Sequence, residues 1–217
     1  MISENLEKFN KALPDDVTLV AVSKTKPVAD LMEAYNAGQR IFGENKVQEM
    51  ESKWQEMPKD VQWHMIGHVQ RNKVKYMAPF VSMIHAVDTL KLLKEVNKQA
   101  KKNERTIECL LQIKIAEEDS KFGMDKGDAQ TLLTSEELTK FQNVKIVGLM
   151  GMASFTDDKK QVSEEFQKLK NIYDEFKIEN PEFRILSMGM SGDYKIALEN
   201  GSNMVRVGSA IFGERNY

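Results

Sequence analysis

Residues 19–38 read Leu-Val-Ala-Val-Ser-Lys-Thr-Lys-Pro-Val-Ala-Asp-Leu-Met-Glu-Ala-Tyr-Asn-Ala-Gly. The first four are apolar without alternation, the pattern of a strand buried on both faces. Pro27 suits the first turn of a helix. Val28, Leu31, Met32 and Tyr35 then fall at i, i+3, i+4 and i+7, and Gly38 supplies the stop. The stretch is a strand, a short polar loop and an amphipathic helix.

The same unit recurs outward along the chain. Ile41-Phe42 precedes a helix over about 45–57, which Pro58 ends, and the run 61–66 precedes one over 69–77. The run 80–87 leads to a helix face marked by Leu90, Leu93, Val96 and Ala100. The runs 107–115, 144–150 and 183–188 are followed by helices over about 126–141, from Val162 to Phe176, and over 191–200. Met204 to Val207 is the last run, and the tail from Gly208 has room for a final helical turn. Eight strands, with a helix after each of the first seven, predict an α/β protein built as a single (β/α)8 TIM barrel. A doubly wound open sheet is the alternative, because periodicity does not show closure. The 217 residues sit near the small end for a barrel, so 1–217 reads as one domain.

The composition narrows the function classes. Hydrophobic residues are 41% and charged residues 29% of the chain, enough for a core and unlike a disordered segment. A net charge of -2 gives no field drawing in nucleic acid or an anionic membrane. No run approaches a membrane span, and the N-terminus lacks the basic-then-apolar pattern of a signal peptide. The single cysteine, Cys109, excludes an internal disulfide and fits a reducing compartment, so a cytoplasmic protein is expected.

Barrel active sites lie where strands end and loops begin. The loops after the last two strands, Gly189-Met190-Ser191-Gly192-Asp193 and Gly208-Ser209, are rich in Gly and Ser. Such residues let backbone N–H groups and hydroxyls approach a phosphate, although they are also ordinary turn residues. Lys24 ends the first strand. A free lysine with a pKa of about 10.4 is a poor nucleophile. Burial and the neighbouring Lys26 would move it toward imine chemistry, whereas a solvated lysine at a strand end needs no such role. His64 and His68 have a spacing that binds metal on a helix. Here a strand end and Gly67 interrupt it, so no metal site is expected.

Seven stretches in order resemble the pyridoxal phosphate homeostasis protein family: 21–27 (AVSKTKP), 42–49 (FGENKVQE), 63–73 (WHMIGHVQRNK), 120–123 (SKFG), 148–150 (GLM), 187–194 (SMGMSGDY) and 205–213 (VRVGSAIFG). The resemblance implies a barrel like the N-terminal domain of alanine racemase, and pyridoxal 5'-phosphate (PLP) held as an aldimine on Lys24. It further implies phosphate contacts from Ser187, Ser191, Gly208 and Ser209, helped by the amides of Gly189 and Gly192. Arg206 would face the pyridine nitrogen, and Asn45 and His64 would line the ring pocket. Lys26 and Lys121 would be secondary contacts. Lys114 stands where many relatives carry Asn, and Ser209 where many carry Thr.

The resemblance implies storage, buffering or delivery of PLP to apo-enzymes by a monomer, without amino-acid turnover. In alanine racemase the base opposite the lysine is a Tyr from a separate β-domain, whereas this sequence runs only ten residues past its last predicted strand. A PLP-dependent racemase or lyase of narrow specificity is the enzymatic alternative. A barrel enzyme acting on a sugar phosphate without PLP is a third reading.

Overall fold

The computed structural model describes residues 1–117 and 122–213. Eight parallel strands close into a barrel in sequence order, each hydrogen-bonded to the next and the last to the first. They are β1 (Thr18–Val22), β2 (Ile41–Glu44), β3 (Gln62–Met65), β4 (Val81–Val87), β5 (Ile107–Gln112), β6 (Val144–Met150), β7 (Ile185–Ser187) and β8 (Met204–Val207). Closure pairs Thr18 with Met204, Leu19 with Val205, Val20 with Arg206 and Ala21 with Val207. The closed sheet removes the open-sheet alternative.

Helix α1 (Ile2–Ala12) precedes the barrel. Around it run α2 (Val28–Asn36), α3 (Val47–Glu56), α4 (Val74–Met77), α5 (Leu90–Lys102), α6 (Lys126–Leu133), α7 (Lys159–Glu179), α8 (Tyr194–Glu199) and α9 (Ser209–Phe212). The sequence expectation of one helix over 126–141 is corrected. α6 ends at Leu133, and a separate 3-10 turn covers Leu138–Lys140. The Thr134 hydroxyl bonds back to Gln130 O, and the Ser135 hydroxyl to Leu132 O while accepting from Leu138 N–H. Hydroxyls competing for backbone groups in this way end helices.

Strand side chains divide between two cores. Leu19, Ala21, Phe42, Trp63, Met65, Cys109, Leu111, Leu149, Leu186, Val205 and Val207 face the helices and join the large outer cluster. Val20, Met83, Leu110, Val147, Met150, Ile185 and Met204 fill the lumen. The lumen is therefore packed rather than hollow, as in other barrels of this size. Cys109 is fully buried in the outer core, and burial pushes its thiol well above the ordinary range. Among the described residues no helix is long and apolar enough to cross a membrane.

Among the glycines, the closest approach to neighbouring backbone is at Gly148. It adopts a φ of 154°, and a Cβ there would lie 1.8 Å from the Ile185 carbonyl oxygen. β6 and β7 meet through this glycine, with Gly148 paired to Ile185. Gly148→Ala should destabilise the fold by about 3 kcal/mol or more, because the clash is with backbone and no rotamer relieves it. Urea unfolding of the two proteins measures this directly.

Candidate functional site

A cavity of about 700 Å³ opens where the strands end. Lys24, Asn45, Ser191, Gly192, Arg206, Gly208 and Ser209 line it together, as does Lys26. Strands from opposite ends of the sequence bring these residues to one mouth.

Lys24 follows β1 in a turn that is anchored on both sides. The buried Ser23 donates from Oγ to Glu44 Oε1 at 2.6 Å. Thr25, at a φ of 65°, donates its N–H to Glu49 Oε1 at 2.6 Å. Lys53 Nζ ties the assembly together, reaching Ser23 O at 2.8 Å, Glu44 Oε1 at 2.7 Å and Glu49 Oε1 at 2.7 Å. Burial pushes the Glu44 carboxyl above its ordinary range, while Lys53 and Ser23 pull against that shift. One Glu44 oxygen, Oε2, is buried without a hydrogen bond. Beyond this turn, Lys26 Nζ donates to Phe212 O at 3.0 Å and so ties the first loop to the end of α9.

Opposite Lys24, the loops after β7 and β8 touch, the Gly208 N–H donating to Ser191 Oγ at 3.2 Å. Gly189 does not line the cavity. Its carbonyl accepts from the Arg206 N–H at 2.9 Å, which docks the loop onto β8. Asp193 Oδ1 accepts from Met190 N–H at 2.5 Å. Burial raises the Asp193 pKa, opposed by that bond and by Arg206. Asn45 is held differently. Gly67 packs so closely that a Cβ there would sit 2.4 Å from Asn45 O, which fixes the loop after β2 against the loop after β3.

Arg206 reaches the cavity from within the lumen and is only 4% exposed. Its guanidinium donates to two neutral acceptors, Ser187 Oγ at 2.7 Å and Gly151 O at 3.2 Å. Burial lowers its pKa to about 10, and Asp193 opposes that shift. The group still carries its charge at neutral pH, so the cavity floor is cationic.

The structure places His64 and Ser187 beneath the cavity rather than on its wall. Ser187 is fully buried, and its hydroxyl is engaged by Arg206 and by His85 Nδ1 at 3.2 Å. His64 Nδ1 lies 2.9 Å from His85 Nε2. Lys114 lies beyond β5, its N–H bonded to Met124 O, and Lys121 falls outside the described residues.

Several wall residues were not singled out from the sequence as site residues. His68 stacks on Phe122 with ring centres 4.2 Å apart and lies 3.3 Å from Asp88. Gln112 at the end of β5, and Met152, Ser154 and Phe155 after β6, also line the cavity. The β6 loop is strapped by the buried Glu165, which accepts from Ser154 N–H and Oγ and from Glu117 N–H. The small residues Gly151, Ala153 and Ser154 were the available signal for this loop.

The Lys53 network makes a testable demand. Lys53→Met should destabilise the protein by about 3 kcal/mol at pH 7, because Glu44 is left buried and uncompensated. The folded Glu44 holds its proton more tightly than the unfolded chain, with its ordinary value of 4.5. Without Lys53 that carboxyl is raised further still, so the loss should shrink as pH falls from neutral toward the wild-type Glu44 value and level off below it, the unfolded value being common to both proteins. Denaturant titrations across that range measure the slope.

Comparison with known proteins accords with this geometry. The sequence profile described as "Alanine racemase, N-terminal domain" matches residues 1–216. A protein of Vibrio alginolyticus named pyridoxal phosphate homeostasis protein is 39% identical over 209 residues, covering 94% of this chain and 89% of its own. A human protein of the same name is 42% identical over 214 residues, covering 92% and 77%. The structure of PipY from Synechococcus elongatus with PLP bound superposes with a TM-score of 0.90 at 35% identity, over 98% of this chain and 100% of that one. Alanine racemase of Clostridium difficile shares the fold, with a TM-score of 0.80 at 14% identity over all of this chain and 57% of that one. The chain belongs to the alanine racemase N-terminal domain family and, within it, to the pyridoxal phosphate homeostasis proteins.

Proposed function

We propose that this chain binds PLP in the cavity at the barrel mouth, carries it covalently on Lys24, and stores, buffers or delivers it without turning over amino acids. The observation that carries the reading is the meeting of Lys24, the buried cation Arg206 and two touching Gly/Ser loops in one cavity. A phosphorylated aromatic aldehyde needs an amine, an anion cradle and a partner for its ring nitrogen, and each is present at a separate wall.

Ser191 and Ser209 supply hydroxyls to the phosphate, and the amides around Gly192 and Gly208 supply N–H donors. Ser187, held by Arg206 and His85 beneath the cavity, acts on the ligand through Arg206 rather than on the phosphate directly. Arg206 turns toward the ring nitrogen. As an obligate donor, a guanidinium leaves that nitrogen unprotonated. Asn45 borders the ring, and Lys26 offers a second amine at the rim. When bound, PLP supplies an aldehyde carbon that amines attack and, in enzymes, an electron sink. Relatives named as homeostasis proteins support a carrier, as does the rim, where Phe155 is 98% exposed and Phe122 and Met152 are also exposed.

The reading takes 1–217 as one domain acting as a monomer in the cytoplasm, with PLP-dependent apo-enzymes as recipients. The lone buried thiol supports a reducing compartment.

The first test adds PLP to the purified protein, follows its visible spectrum, reduces with borohydride and maps the pyridoxyl group. The label should sit on Lys24, and Lys24→Ala should lose the absorption band. Labelling spread over surface lysines would overturn the assignment. The second test incubates the loaded protein with amino acids in deuterium oxide. No deuterium should enter the α-position above the rate seen with free PLP. Enantioselective incorporation would instead establish the racemase or lyase reading.

A further inference from the structure

A polar chain crosses the otherwise apolar lumen. It starts at His64 on β3, passes His85 on β4 and Ser187 on β7, and ends at Arg206 on β8, with contacts of 2.9, 3.2 and 2.7 Å. His85 and Ser187 are fully buried, and His64 and Arg206 are 3% and 4% exposed. Buried polar groups of this kind weaken a core unless they are fully satisfied. None of the four leaves an unsatisfied buried atom.

The chain has a fixed direction. Arg206 can only donate, so Ser187 Oγ accepts from it. The Ser187 hydrogen then needs an acceptor, and the one within reach is His85 Nδ1. The His85 proton is thereby placed on Nε2, where it is donated to His64 Nδ1. His64 in turn carries its proton on Nε2, and its ring borders a second, polar pocket at the opposite end of the barrel, lined also by Asp16, Gln62 and Glu108. Burial keeps both rings neutral, lowering His64 to about 3 and His85 well below its ordinary value.

We infer that His85 and His64 are positioning residues that aim the Arg206 guanidinium at the ring-binding wall of the cavity, through a one-way hydrogen-bond chain whose tautomers Arg206 dictates. Two acceptors, Ser187 Oγ and Gly151 O, fix the guanidinium plane. The histidines fix the rotor that presents the first of them. The inference rests on the proposed PLP site for what Arg206 faces, but not for the direction of the chain.

Two measurements test it. In the protein without PLP, long-range proton–nitrogen NMR of labelled histidine should show His85 and His64 as neutral Nε2–H tautomers. A proton on His85 Nδ1 would overturn the inference. In the loaded protein, His85→Leu and Ser187→Ala should each weaken PLP about tenfold, in line with the loss of one buried hydrogen bond to a charged group. Both should move the visible band in the direction that Arg206→Gln moves it. Neither should change affinity or band further once Arg206 is already Gln, since residues acting through one another are non-additive. His85→Asn, which restores an acceptor near Nδ1, should recover most of the affinity. A lowered melting temperature with unchanged band and affinity would make the chain merely structural and overturn the proposal. Failure of the unmutated protein to take PLP on Lys24 would sink the functional reading instead, and the NMR result would still decide this one.

Discussion

Everything at the mouth depends on the parallel pairing that closes the barrel, Thr18–Ala21 against Met204–Val207. Without it, Lys24 and Arg206 would lie at opposite edges of an open sheet. With it, the loop after the first strand and the loop after the last are neighbours. Gly208 approaches so closely that a Cβ there would stand 3.2 Å from Val22 O. The bond from Lys26 Nζ to Phe212 O continues the closure beyond the sheet. Burial of both strand faces fixes the register, because sliding by one residue would exchange lumen and helix-facing side chains.

Two buried cations serve that arrangement in opposite ways. Lys53 reaches from α3 to the barrel, where two carboxylates and a carbonyl compensate its charge inside the fold. It holds the turn that carries Lys24. Arg206 lies inside the lumen with neutral acceptors, and its charge remains directed at the cavity. A buried cation whose hydrogen bonds all go to neutral acceptors is costly, and Asp193 offsets only part of that cost. The fold tolerates it at the one place where an electron-rich ligand atom would offset the expense.

The barrel was legible because its strands are short, apolar and evenly separated by amphipathic helices. Strands 144–150 and 204–207 fall where the sequence puts them. Helix ends were less legible, as over 134–141, where hydroxyl side chains rather than apolar spacing decide the boundary. At the site, Lys24 and the Gly/Ser loops were legible because each follows a strand. Depth within the lumen was not. Whether Ser187 or His64 reaches the cavity depends on stagger between strands, including register shifts between Trp63 and His64 and between Ile84 and Val87. Stagger of that kind leaves no local sequence signal. The wall after β6 escaped notice because its small and polar residues, Ser154, Thr156 and Asp157 among them, form no repeated Gly/Ser pattern like that of the last two loops.

The sealed position of Cys109 bears on how such a protein coexists with an electrophilic cargo. Aldehydes condense with thiols as well as amines, and a surface thiolate would compete with lysine. Here the sulfur is walled into the layer between strands and helices, and its proton is held tightly. The folded surface is thus chemoselective: an incoming carbonyl meets amines and no thiol. Thiol-directed alkylating reagents would leave the folded chain unmodified and mark only molecules that have opened.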